Sequence, residues 1–130
     1  MLKVEVVTAE AVKYQGDARQ VLLPGVNGEM GILSHHAPLV SMLNPGIVRV
    51  DGPEGNQTKF AVSQGFATVE GDKVICLVDA AFAADEVDSA KVYSKMDKLR
   101  GSHAANAAES ERNQVELRFL QAQLDLVGAR

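Results

Sequence analysis

The chain has 130 residues, of which 46% are apolar and 23% charged, and its formal net charge is −4. That balance suits one globular domain, or one with a small appendage, and excludes a disordered chain. Lys and Arg are scattered rather than clustered, and no window approaches 18 consecutive apolar residues, so neither a nucleic-acid footprint nor a bilayer span is expected.

The N-terminal run Leu2, Val4, Val6 alternates with Lys3, Glu5, Val7 and enters a strand pattern at once, without the long apolar stretch of a signal peptide. Turn signals follow at Pro24-Gly25, Asn27-Gly28, Pro45-Gly46, Asp51-Gly52 and Gly71-Asp72. Between them, Phe60 and Val62 alternate with Lys59, Ala61 and Ser63. Val74, Cys76 and Val78 alternate with Ile75 and Leu77, so that strand is apolar on both sides and reads as buried on both. Trp is absent and aromatics are only 5%, so the core must rest on Val, Leu, Ile and Ala. Cys76 is the single cysteine; it excludes an internal disulfide and reads as a small buried hydrophobe. Many short strands with frequent turns predict an antiparallel β-sandwich, or flattened barrel, over residues 1–84.

The period changes near Ala84. Asp85 is placed to cap a first helix, with Glu86 and Asp88 at the positive end of its dipole. Val87, Ala90, Tyr93, Met96 and Leu99 form a drifting apolar stripe, and Gly101 is a stop signal. Asn106 suits a second N-cap, and residues 107–127 read as a longer helix. Its stripe includes Val115, Phe119, Ala122 and Leu126, widened by Leu117, Leu120, Leu124 and Val127. The expected class is α+β: the sandwich, then an antiparallel two-helix hairpin over 85–130. A lone hairpin is marginal in water, so it should dock on the sandwich, on a partner, or on each in turn.

No catalytic constellation stands out. A P-loop pattern is missing, and Gly25, Gly28 and Gly31 are spaced by three, unlike the dinucleotide fingerprint. They read as turn glycines. His35 and His36 are adjacent, which on an extended chain sends the rings to opposite faces and makes a poor pair of metal ligands. Asp79, Asp85, Glu86 and Asp88 read as caps and a solvated face, with cation binding as the alternative. The serines lack the His and Asp context of a nucleophile.

The segment from Pro24 to Leu39 contains Gly25-Val26-Asn27-Gly28-Glu29-Met30-Gly31-Ile32, then His36-Ala37-Pro38-Leu39. It closely resembles the signature of ATP synthase epsilon subunits, Gly-x-x-Gly-Glu-Leu/Met-Gly-Ile followed by His-Ala-Pro-Leu. Asn44-Pro45-Gly46-Ile47, Ser63-Gln64-Gly65-Phe66 and Val78-Asp79-Ala80-Ala81 resemble further stretches of that family, in order, and the resemblance covers essentially the whole chain. It implies a sandwich and helical hairpin without enzymatic activity, acting in the rotor of a proton-translocating F-type ATP synthase. The implied partners are the gamma subunit, the c-subunit ring and, through the helices, the alpha/beta catalytic head. The implied place is the cytoplasmic face of a bacterial inner membrane, reached only through the complex.

Carried over by position, the resemblance implies a c-ring contact at Glu29, Met30, Gly31 and His36. Met96-Asp97-Lys98-Leu99-Arg100-Gly101 resembles the ATP-binding motif of some members, keeping Asp97 and Arg100. Lys91 and Ala107 depart from that pattern. Inhibitory contacts would fall to Arg112 and Arg118, with Arg130 at the end, opposed by Glu109, Glu111, Glu116 and Asp125; weak or conditional inhibition follows. No metal and no resident cofactor are implied. The alternative function is a small-molecule sensor whose hairpin closes over ATP.

Overall fold

The computed structural model describes residues 1–128. Ten strands come first: β1 (Leu2–Val7), β2 (Val12–Ala18), β3 (Gln20–Gly25), β4 (Gly28–Leu33), β5 (Leu39–Leu43), β6 (Gly46–Asp51), β7 (Gln57–Val62), β8 (Gly65–Glu70), β9 (Lys73–Val78) and β10 (Ala81–Phe82). A 3₁₀ turn at Ala84–Glu86 leads to helices α1 (Ser89–Arg100) and α2 (Ala107–Gly128). The hydrogen-bonded strand order is β10-β7-β6-β3-β5-β8-β9-β1-β2, with β4 paired to β3 off that path. The sheet folds over on itself into a nearly closed sandwich, followed by the two helices, as the change of period predicts.

Alternation builds the interior. Leu2, Val4 and Val6 from β1, Val21 and Leu23 from β3, Val48 and Val50 from β6, Phe60 and Val62 from β7, and Val74 and Cys76 from β9 meet in one core cluster. Burial pushes the Cys76 thiol up to about 12, which leaves it protonated and inert.

The structure corrects several expectations. Pro24 and Gly25 lie within β3 rather than in a turn; Gly25 pairs with Gly28, so the hairpin turns at Val26-Asn27. Gly28 has φ +121°, a conformation closed to side chains with a Cβ. One strand pair is parallel: β1 runs alongside β9. Strand β9 is not buried on both sides, because Ile75 is half-buried and Leu77 is exposed. Ala61, expected on the outer face of β7, is fully buried under α2.

In the helices, Asp88 rather than Asp85 caps α1, accepting the Lys91 backbone N–H at 3.2 Å. Asp85 sits in the preceding 3₁₀ turn. A stripe of strict period three drifts around a helix of 3.6 residues per turn. The face that is buried therefore runs through Val92 and Met96, with Leu99 half-buried, while Tyr93 and Ala90 stay exposed. Asn106 does cap α2, accepting the Glu109 N–H at 2.9 Å, and the Glu109 carboxylate accepts the Ala105 N–H in return. The broad stripe of α2 has two tasks. Phe119, Ala122 and Leu126 pack with Ala61, Ile47 and Phe82 of the sandwich, whereas Leu120, Leu117 and Leu124 pack with Val92, Met96 and Leu99 of α1. The hairpin is thus folded down on the sheet through α2.

Candidate functional site

The residues singled out from the sequence fall into three places. Glu29, Met30 and Gly31 lie on β4, an edge strand paired only with β3. The strand alternates, so Glu29, Gly31 and Leu33 face out and are exposed, while Met30 turns inward against the core. A Cβ on Gly31 would meet only Leu22 Cδ2, at 3.4 Å, an ordinary contact. The fold itself therefore does not require glycine there, and the bare backbone is open to close approach. Leu33, 57% exposed, was missed from sequence because an apolar residue in a strand reads as core.

His36 is half-buried in the loop beyond the other end of β4. Its Nδ1 donates to the Ala37 carbonyl oxygen at 2.7 Å. His35 is not extended: its φ is 65°, the left-handed region. That conformation is held by the Asp72 carboxylate, which accepts the His35 backbone N–H at 2.9 Å. Glu29 and Leu33 are roughly 13 Å apart along the strand, so the structure does not gather Glu29 and His36 at one point. It strings them along one exposed edge.

The His35 amide beside Asp72 holds that carboxyl below the ordinary aspartate value of 3.8. A group whose pKa is lowered on folding stabilises fully above its unfolded value and loses that effect as pH falls through the folded one. The His35 amide resonance is therefore expected to hold its shift down through pH 4 and move to a loop-like position only below the ordinary aspartate midpoint. A midpoint at or above 3.8 would show that the loop is held by something else.

The helical residues are all at the surface. Asp97 and Arg100 are exposed, and only Arg100 lines the groove formed by Tyr93, Met96, Gln121, Leu124 and Asp125. Arg112 lines a crevice with Asp79, Glu111 and Glu116. Arg118 lines another groove with Glu29, Pro45 and Asp125, so the β3–β4 turn and α2 are neighbours. The ion pairs among the described residues are Lys3–Asp17, Lys13–Glu86 and Arg49–Asp51, and none involves these helical residues. Arg130 lies outside the described residues. Among those described, no cluster of metal-ligating side chains occurs, and no helix is long and apolar enough to cross a membrane.

The third place was not identified from the sequence as a site. On the outer face of β5, β8, β9, β1 and β2, register places Met42 opposite Phe66, Phe66 opposite Leu77, Leu77 opposite Val7, and Val7 opposite Val12. These five apolar residues form one row across five strands. Met42 is 60% exposed, Val12 59%, and Phe66 and Leu77 nearly 40%. Val40, also outward, extends the row on β5. Beyond it, Lys3, Asp17, Glu70 and Lys73 form a charged border.

The family profile described as ATP synthase, Delta/Epsilon chain, beta-sandwich domain matches residues 1–84. The chain belongs to that family. Its relatives include the ATP synthase epsilon chain 2 of Ralstonia nicotianae, 37% identical over 124 residues, which cover 95% of this chain and 86% of the relative. The delta/epsilon fold also recurs in solved assemblies. A chain from a structure of Euglena gracilis mitochondrial ATP synthase, OSCP/F1/c-ring, superposes with a TM-score of 0.81 at 22% identity, over 95% of this chain and 79% of that one. One from the central stalk/c-ring of Tetrahymena thermophila mitochondrial ATP synthase gives 0.65 at 17% identity, over 94% and 96%.

Proposed function

We propose that this delta/epsilon chain is a non-catalytic subunit of the central stalk of an F-type ATP synthase, gripped by two partners on two faces of one sandwich. The observation that carries the reading is the bare apolar row from Met42 to Val12. A strand such as β9, apolar on both faces, is built for two covers, and the isolated chain supplies one. The gamma subunit is the second cover. Its seat is the row, an apolar centre with a charged border, which is the usual anatomy of a stable protein interface.

The edge of β4 faces the c-ring. Glu29 offers a carboxylate to basic groups on the ring loops, Gly31 admits close approach, and Leu33 adds an apolar anchor. The contact is a strip along the strand, with Met30 fixing it from within. Torque passes because the sandwich between the two faces is a close-packed solid. The complex holds the chain at the cytoplasmic face of a bacterial inner membrane. The helices reach the catalytic head and restrain ATP hydrolysis through Arg112 and Arg118, weakly, because Glu109, Glu111, Glu116 and Asp125 share the same helix. ATP sensing is not favoured, since Asp97 does not join Arg100 in its groove.

Co-purification tests this division of labour. The intact chain is expected to bring down gamma, the c-ring and the catalytic head together. Without residues 85–130, assembly should persist and ATP hydrolysis rise modestly. Loss of assembly would mean that the sandwich is not the gripped body, and unchanged hydrolysis would remove the restraining role of the helices.

A further inference from the structure

The hydrogen-bonded path of the sheet starts at β10 and ends at β2, and neither end pairs onward. Where the two ends approach, the sandwich has a seam with no backbone ladder across it. Inside, Tyr14 of β2 meets Phe60 of β7 edge-on, with ring centroids 6.4 Å apart. Outside, Lys13 of β2 meets Glu86, four residues beyond β10 in the chain, its Nζ donating to both carboxylate oxygens at 2.8 and 2.7 Å. The Lys13 side chain is 19% exposed and that of Glu86 42%, so the lysine stem is covered while the pair itself sits at the surface, where its two-oxygen geometry fixes the Lys13 head to Glu86.

Glu86 belongs to the segment that joins the two halves of the chain. Its carboxylate also accepts the Ala83 N–H at 2.9 Å. Upstream, Ala81 and Phe82 pair with Val62 and Ala61, and the Ser63 N–H donates to the Ala80 carbonyl at 2.9 Å. Everything from Ala80 to Glu86 is therefore tied to the sandwich. Downstream, Asp88 belongs to α1 as its cap. The two sets of bonds meet between Val87, whose N–H donates to the Ala84 carbonyl, and Asp88, which caps α1. Both residues are extended, at φ −86°, ψ 124° and φ −104°, ψ 101°, and no hydrogen bond among the described residues spans that junction.

We infer that the Lys13–Glu86 pair is a clamp that closes the seam and fixes the linker to the sandwich, so that the helical pair pivots at Val87–Asp88 and not at the end of β10. Without the clamp the pivot moves back to the short β10 ladder. The position of the pivot sets the arc that the helices can sweep.

Hydrogen exchange on the full chain tests this through two reporter amides, Glu86 N–H bonded to Ala83 and Val87 N–H bonded to Ala84. In the wild type they should exchange with the sandwich, more slowly than the amides of α1. In Lys13→Met, which keeps most of the stem, and in Glu86→Gln, both should exchange roughly tenfold faster. The charge-swapped double variant, Lys13→Glu with Glu86→Lys, should restore the part of the protection owed to the ion pair, but not the part owed to the Ala83 N–H, which a lysine at position 86 cannot accept. Reporters that already exchange with α1 in the wild type would overturn the inference. So would single variants that leave them unchanged, or a double variant that restores nothing. A uniform rise across β1, β6 and β8 would also overturn it, because the pair would then hold the whole sandwich and not the linker.

Discussion

Placing aspartates at Phe66 and Leu77 together is expected to strip the chain from the assembled synthase while leaving it folded. The two side chains are cross-strand partners at the middle of the apolar row, and Phe66 also faces Met42. Central apolar anchors contribute about 2 kcal/mol or more each when truncated at an interface. A buried, unpaired carboxylate adds a desolvation penalty on top. Roughly a hundredfold or greater loss of affinity for gamma follows. In the free chain both residues are nearly 40% exposed and face each other. The cost to the fold is therefore the strand preference of aspartate, about 1 kcal/mol per site, together with the covered apolar contact each loses and the repulsion of two facing carboxylates. The melt should fall but stay cooperative. Val12→Asp, at the end of the row, is the control and should cost far less. The measurement is co-purification with gamma beside the thermal melt of the isolated chain. Retained binding with a melt that stays cooperative would remove the row as the seat.

That row was half-legible in the sequence. Ile75 and Leu77 on a strand with buried Val74, Cys76 and Val78 announce a second covered face. They do not say that the cover is another chain. Alternation finds which side chains share a face, but the row across strands depends on register, and register joined β1 to β9 in parallel over a separation no local pattern encodes. Glu29 was found through the family resemblance, and Asn27-Gly28 marked a turn beside it, but the turn proper is Val26-Asn27 and Glu29 lies within β4. Its distance from His36 was not legible, since closeness in sequence hides the length of β4. The clamp from Lys13 to Glu86 spans 73 residues and gives no sequence signal at all. Helix caps show the same limit on a small scale. Asp85 and Asp88 are equivalent in composition, and only the intervening 3₁₀ turn decides which one caps α1.

Phe119→Ala is expected to detach the helices from the sandwich without unfolding it. Helix α2 buries Phe119, Ala122 and Leu126 against the sheet, and the Phe119 ring stacks on Phe82 with centroids 5.6 Å apart, tilted by 40°. Ala122 and Ala61 share that cluster and are both small, which lets helix and strand backbones approach closely and leaves Phe119 as the largest anchor. Truncating a buried Phe costs about 3–5 kcal/mol. Full burial of an apolar side chain yields about 1.5–3 kcal/mol, so one substitution removes an amount comparable with what two large anchors, Phe119 and Leu126, supply. The contact of Leu120 with Val92 and Met96 lies on the other side of α2 and survives, so the helical pair should leave as a unit. Hydrogen exchange should show α1 and α2 amides losing protection together while Val4, Val48 and Val74 keep theirs. Leu120→Ala should do the reverse, loosening α1 from α2 with the Phe119 contact intact. If the core strands instead melt with the helices in Phe119→Ala, the two halves are one cooperative unit. The sandwich could then not serve as a rigid body that keeps its shape while the helices move.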